Sequence, residues 1–269
     1  MMELASEAAY ARAWRSLFTS REQWQPYDLA KAGGACAGNL AHVFIAGYQG
    51  AIRATFPDVS FSGWAAFAVS EDRSATNPLP GVTAQAAGDA LLLNGNKSWV
   101  AAVDHVDDLV VRASGAAAGY YLIARATPGL SLERNPAPSM LPSLSQGRAG
   151  LHDVRLVKSH KLDSARVPGI AATEAYCIYV AFAAFAVKLV TGAITEVSSR
   201  ELAEMALGLL DRAAGQDFAD DAEAMADFDN GIQRLRQRLS ETICCADENW
   251  LRDQKLIAMY SKSIQARIA

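Results

Sequence analysis

The chain has 269 residues, 51% of them hydrophobic and 20% charged, with a formal net charge of −4. This is a globular composition, able to bury a real core. The acidic balance offers no electrostatic footprint for a nucleic acid.

Four cysteines stand at 36, 177, 244 and 245. Two are adjacent and two far away, so neither a disulfide framework nor zinc-ligand spacing emerges, and a reducing, cytosolic setting is expected. His42, His105, His152 and His160 show no metal spacing either. The opening MMELASEAAYARAW carries early acids and no apolar run, unlike a signal peptide.

In chain order, residues 1–24 read as an amphipathic helix, with Leu4, Ala8, Ala11, Trp14, Leu17 and Phe18 at helical spacing. Pro26 and Asp28 are expected to stop it. Gly33, Gly34 and Gly38 mark a loop or a close helix approach. A second helix is expected from Leu40 to Thr55, with Gly47 and Gly50 inside it for packing. Residues 64–162 change to period two. Seven short runs (WAAFAVS, DALLLNG, KSWVAA, DLVVRAS, GYYLIARA, LSLER, GLHDVRLV) read as strands of one antiparallel barrel or sandwich. Asn94-Gly95 is expected at a hairpin turn.

Beyond Pro168 the pattern is helical again. The first helix is expected at about 173–197, capped by Thr173. Its core, Ala175–Ile194, is long enough for a membrane span, but Lys188 interrupts it and no basic flank orients it. A buried helix of a bundle is the expectation, and no membrane partner. Further helices are expected at about 199–214, 220–245 and 247–269. The acids Asp220, Asp221, Glu223, Asp227 and Asp229 read as a solvated helix start. The segmentation is therefore a helical region at 1–62, a β domain at 63–163 and a helical bundle at 164–269.

The order helix, β domain, helical bundle resembles the acyl-CoA dehydrogenase family. Leu92-Leu93-Asn94-Gly95-Asn96-Lys97-Ser98-Trp99-Val100-Ala101 is similar to that family's x-x-Asn-Gly-x-Lys-x-Trp-Ile-Thr. Ser70-Glu71-Asp72 looks like its Thr-Glu-Pro, and Thr76-Asn77 falls on its Ser-Asp. Gly150–Leu156 is similar to the strand that closes its middle domain. Trp250-Leu251-Arg252-Asp253-Gln254-Lys255 looks like its Tyr-Arg-Asp-x-Lys. The fold implied is α+β and multidomain, with a shortened helical N-terminus, a middle β-barrel or sandwich domain and a C-terminal helical bundle.

The resemblance implies FAD as cofactor, acyl-CoA-type thioesters as small-molecule partners and oxidation at a CH–CH bond. It implies flavin contacts at Ser70, Glu71, Thr76, Trp99, Val100 and Ala101. A flavin needs a flat apolar wall and donors at its polar edge, and Trp99 supplies such a wall. It also implies a homodimer or homotetramer, or pairing with a full-length paralogue. Several positions depart from the pattern. The family's general-base glutamate falls on Ser261, which has no carboxylate to take an α-proton. The alternative position on the first bundle helix leaves Glu174. Ala101 replaces a threonine that bonds the flavin, and the segments that hold the dinucleotide tail are missing between Ser198 and Trp250. FAD binding is therefore expected to be weak or lost and dehydrogenation slow. A non-catalytic binding or scaffold protein on the same fold is the alternative.

Overall fold

The computed structural model describes residues 6–19, 24–192, 197–214, 221–242 and 244–266. The chain forms two compact units, one of Met1–Thr55 with Pro168–Ala269 and one of Phe56–Val167. Most of the sequence segments 1–62 and 164–269 thus falls in one helical unit, while residues 56–62 and 164–167 go with the β segment that is continuous between them.

The helical unit opens with α1 (Glu7–Thr19), α2 (Pro26–Cys36) and α3 (Leu40–Thr55). Pro26 and Asp28 start α2 instead of stopping α1. Proline at the first helical position gives up no hydrogen bond, and an acid in the first turn complements the helix dipole. Gly33 and Gly34 lie inside this helix at a close approach. A Cβ on Gly34 would sit 2.1 Å from the Ala181 carbonyl oxygen. Gly47 of α3 serves likewise: its Cβ would meet the Ile178 Cα at 2.4 Å.

Both glycines pack on α4 (Ile170–Gly192). Thr173 is not its N-cap but lies within its first turn, where its hydroxyl donates to the Gly169 carbonyl. By length and composition α4 is apolar enough to cross a membrane. Here residues 177–186 are all buried, and α2, α3 and α5 (Val197–Ala213) pack around them. Lys188, partly exposed, donates to the Ala37 carbonyl at 2.5 Å and so closes the C-terminal end of α2. The unit continues with α6 (Ala222–Thr242), α7 (Glu248–Asp253) and α8 (Lys255–Gln265). The last two were expected as one helix. They are separated at Gln254, and Asp247 caps α7 by accepting from the Asn249 and Trp250 amides.

The β unit holds two four-stranded sheets. One orders β1 (Ala65–Ala68), β4 (Asp108–Ala113), β5 (Gly119–Ala124) and β8 (Lys161–Leu162). The other orders β2 (Thr83–Ala87), β3 (Ala90–Ala101), β7 (Gln146–Val157) and β6 (Leu130–Arg134). Leu93, Val100, Leu109, Val111, Tyr121, Leu151 and Val154 form the core of the unit. The unit is not wholly antiparallel, because β1 pairs parallel with β4.

Asn94-Gly95 is not a hairpin turn. β3 runs straight through it, with a bulge in its pairing to β7. Asn94 Oδ1 accepts from the Asp153 amide at 2.8 Å, and its Nδ2 donates to Asp153 Oδ1 at 3.1 Å. Gly95 has φ +127°, and a Cβ there would meet the Gly81 carbonyl oxygen at 2.2 Å. The hairpin turn is instead Gly88-Asp89, between β2 and β3, with Gly88 at φ +64°.

Candidate functional site

In the β unit the candidate residues gather around β3. Trp99 lies on this strand and is partly exposed. Its indole Nε1 donates to Gln146 Oε1 at 3.2 Å. The Gln146 amide nitrogen in turn donates to the carbonyls of Met140 at 2.7 Å and Leu141 at 3.3 Å. One glutamine thus ties the Pro-rich loop before β7 to the indole. Trp99 lines a cleft of about 320 Å³ with Ser98, Arg134, Asn135, Gly147 and Arg148. That is near the small end of ligand sites, suited to one ring system rather than a whole dinucleotide. The bond to Gln146 fixes the indole at the wall of this cleft, and a flat side chain there fits a flat heteroaromatic ring such as a flavin.

The other residues are less close to that role. Val100 is fully buried in the core of the unit, so only its backbone is available. Ala101 is buried and has no hydroxyl. Ser70 uses its carbonyl to accept from the Ser98 amide at 2.9 Å. Glu71 is engaged by Lys97, whose Nζ lies 2.7 Å from Oε1. Lys97 is fully buried, and desolvation lowers its pKa while Glu71 opposes the shift. Asp72 accepts from the Ser74 amide and hydroxyl and from the Leu79 amide, which hold its pKa down at about 2. Thr76 is exposed on the same loop. The loop after β1 is therefore built by its own carboxylates.

The helical unit carries a second cluster. Glu174, near the start of α4, accepts from the Tyr260 hydroxyl of α8 through Oε1 at 2.6 Å. Burial raises the Glu174 pKa, and the Tyr260 hydrogen bond opposes it. Among the described residues no donor reaches Oε2. Burial, with the Glu174 charge beside it, pushes the Cys177 thiol up to about 12.

Ser261 does not face that carboxylate. Its Oγ donates to Asp229 Oδ2 at 2.7 Å. Asp229 is fully buried, which corrects its reading as part of a solvated helix start. Asp221, Glu223 and Asp227 are exposed, as expected, and Asp220 lies outside the described residues. Asp229 also accepts from Tyr179 OH at 2.6 Å, Gln233 Nε2 at 3.0 Å and Gln265 Nε2 at 2.7 Å. Four donors from α4, α6 and α8 thus meet on one carboxyl group. The signal for it was present in sequence. Asp229 is four residues after Met225 and three before Ile232, on the buried stripe of α6. The Arg252-Asp253 pair is a neighbouring bidentate contact, 2.8 Å at both bonds, and belongs to α7 itself.

The sequence matches no protein-family model and no curated protein. The fold, however, is shared with solved flavoproteins. PigA with FAD and proline superposes at a TM-score of 0.67 and 14% identity, covering 99% of this chain and 89% of that one. The prolyl acyl carrier protein oxidase AnaB gives 0.62 at 14% identity, covering 96% and 85%. An acyl-CoA dehydrogenase from Geobacillus kaustophilus gives 0.53 at 16% identity, covering 76% and 68%. The chain has the acyl-CoA dehydrogenase-like fold, and it is a divergent example of it.

Proposed function

We propose that this protein is a flavin-dependent oxidoreductase acting on the CH–CH bond of an acyl thioester, with Glu174 as its general base. FAD is the cofactor of this reading. The solved structures of the same fold include proteins described with FAD, acyl-CoA and acyl carrier protein, and that supports the substrate class. The observation that carries it is the contrast between two side chains. Ser261 is a committed donor to Asp229, whereas Glu174 keeps one oxygen without a donor among the described residues and has a raised pKa.

The flavin, when bound, supplies the acceptor for the β-hydride. The chain's own residues do the rest. Trp99 offers a flat wall, held in orientation by Gln146. Glu174 Oε2 takes the α-proton as the α C–H bond breaks, and Tyr260 stabilises the carboxylate before that transfer. A cytosolic homo-oligomer built through the C-terminal helices completes the reading.

A second reading, a binding protein without dehydrogenation, is favoured by Ala101 and by Glu71 being taken up by Lys97. One experiment separates the two. Protein supplied with FAD is assayed on saturated acyl thioesters with an artificial electron acceptor. We expect turnover by the natural chain and a loss of about 10²–10⁴ in Glu174→Gln. FAD should raise the melting temperature of the natural chain and much less that of Trp99→Leu. Stabilisation by FAD with no turnover selects the binding protein. No stabilisation by FAD rejects the cofactor.

A further inference from the structure

Position 261 is a hydroxyl for a reason visible in the helical unit. α8 places Tyr260, Ser261 and Gln265 toward two different carboxyl groups. Ser261 and Gln265, one turn apart, both donate to Asp229 Oδ2. Tyr260, next to Ser261, donates to Glu174 Oε1 at 2.6 Å. Tyr179 links the two, because its hydroxyl donates to Asp229 Oδ1 and its ring meets the Tyr260 ring edge-on at 6.3 Å. Asp229 is thus the peg that fixes the rotation of α8, and that rotation aims Tyr260.

We infer that Tyr260 is a positioning residue for Glu174, held in place by the Asp229 cluster, and that the carboxyl–phenol pair Glu174–Tyr260 is the acid–base unit of the helical domain. The inference rests on the reading of Glu174 as base and adds the residue that orients it. A phenol on Oε1 fixes the carboxyl plane and leaves Oε2 as the proton-accepting atom. It also favours the charged form, since a donor to a carboxylate stabilises the anion. The groups around the pair are few. Cys177 and Tyr179 come from α4 and Tyr48 from α3. Asp229 of α6 stands behind Tyr179. Arg236 of α6 acts on Tyr179, and the Tyr260 phenol is the group that opposes desolvation of Glu174 itself.

The test is a carbon-13 carboxyl NMR titration of protein carrying labelled glutamate, with the Glu174 resonance assigned by its disappearance in Glu174→Gln. In Tyr260→Phe the Glu174 midpoint should move to higher pH. Turnover should fall about tenfold, the rate equivalent of one hydrogen bond, with the acid limb of its pH profile moving the same way. 3-Fluorotyrosine placed at 260 keeps the shape of the side chain and donates more strongly, so it should move the midpoint down. That variant keeps the test open should Tyr260→Phe fail to fold. An unmoved midpoint in a folded variant overturns the inference. A moved midpoint with full activity in Glu174→Gln keeps Tyr260 as the residue that orients Glu174 but overturns the pair as an acid–base unit, and the proposed base with it.

Discussion

At the scale of single residues, the buried polar groups of the helical unit make definite demands. Asp229 has four donors, so a glutamate at 261 would bring a second carboxylate against it in place of a hydroxyl. Ser261→Glu should therefore lose stability, by about 2 kcal/mol or more, and should gain no dehydrogenase activity. Urea unfolding and the thioester assay read the two outcomes, and gained activity would show that position 261 faces substrate. His42 makes a different demand. It is fully buried, stacks on Tyr10 at 4.3 Å and accepts from the Gly38 amide on Nδ1. Burial, aided by the charge of Lys188, lowers its pKa from 6.5 to about 4. The folded value lies below the unfolded one, so its stabilising contribution is complete above pH 6.5 and is lost as pH falls toward 4. About 3 kcal/mol should disappear across that window. Chemical denaturation at pH 7, 5.5 and 4 measures the loss, and His42→Asn, which keeps an acceptor but does not titrate there, should flatten the slope.

Between elements, contact with α4 is set by glycine. Gly34→Ala should cost about 3 kcal/mol, since its Cβ would fall 2.1 Å from a backbone oxygen that has nowhere to go. Gly208 of α5 has nothing within 4 Å of its Cβ position, so Gly208→Ala should stabilise by about 0.5–1 kcal/mol. Thermal unfolding of the two variants should move in opposite directions. The close approach at Gly33 and Gly34 was one of two readings open from sequence, and packing space settled it. Other features were legible outright: α3 has the expected limits, and Trp99 lies on a strand. The Asn94-Gly95 turn failed because a turn dipeptide is a local signal, whereas strand pairing is not. Leu91 and Leu93 pair with Leu156 and Val154 of β7, which keeps β3 continuous across the dipeptide. Gly88-Asp89 carried the same chemistry and lay next to a strand that Gln85, Ala86 and Ala87 left without an apolar pattern. Asp229 was hidden by its exposed acidic neighbours, although the stripe of α6 placed it inside.

For the molecule as a whole, the proposed assembly is checked by light scattering at micromolar concentration. A mass of two or four chains is expected, and a monomer would remove assembly from the proposal. The apolar α4 does not itself call for a partner, because α2, α3 and α5 cover that helix within one chain. On α5, Leu207 is 49% exposed and offers an apolar contact for such an assembly. The division of the helical unit into two stretches of sequence also has a consequence in time. During synthesis α2 and α3 emerge with their glycine faces bare, and α4 follows only after the whole β segment has been made. At ~5–20 residues per second that wait is on the order of ten seconds. The β segment, uninterrupted in sequence, has all its strands when its own last residue leaves the ribosome. Nascent chains arrested once residue 167 has cleared the ribosome should therefore carry a protease-resistant β core behind a helical leader still open to chaperones.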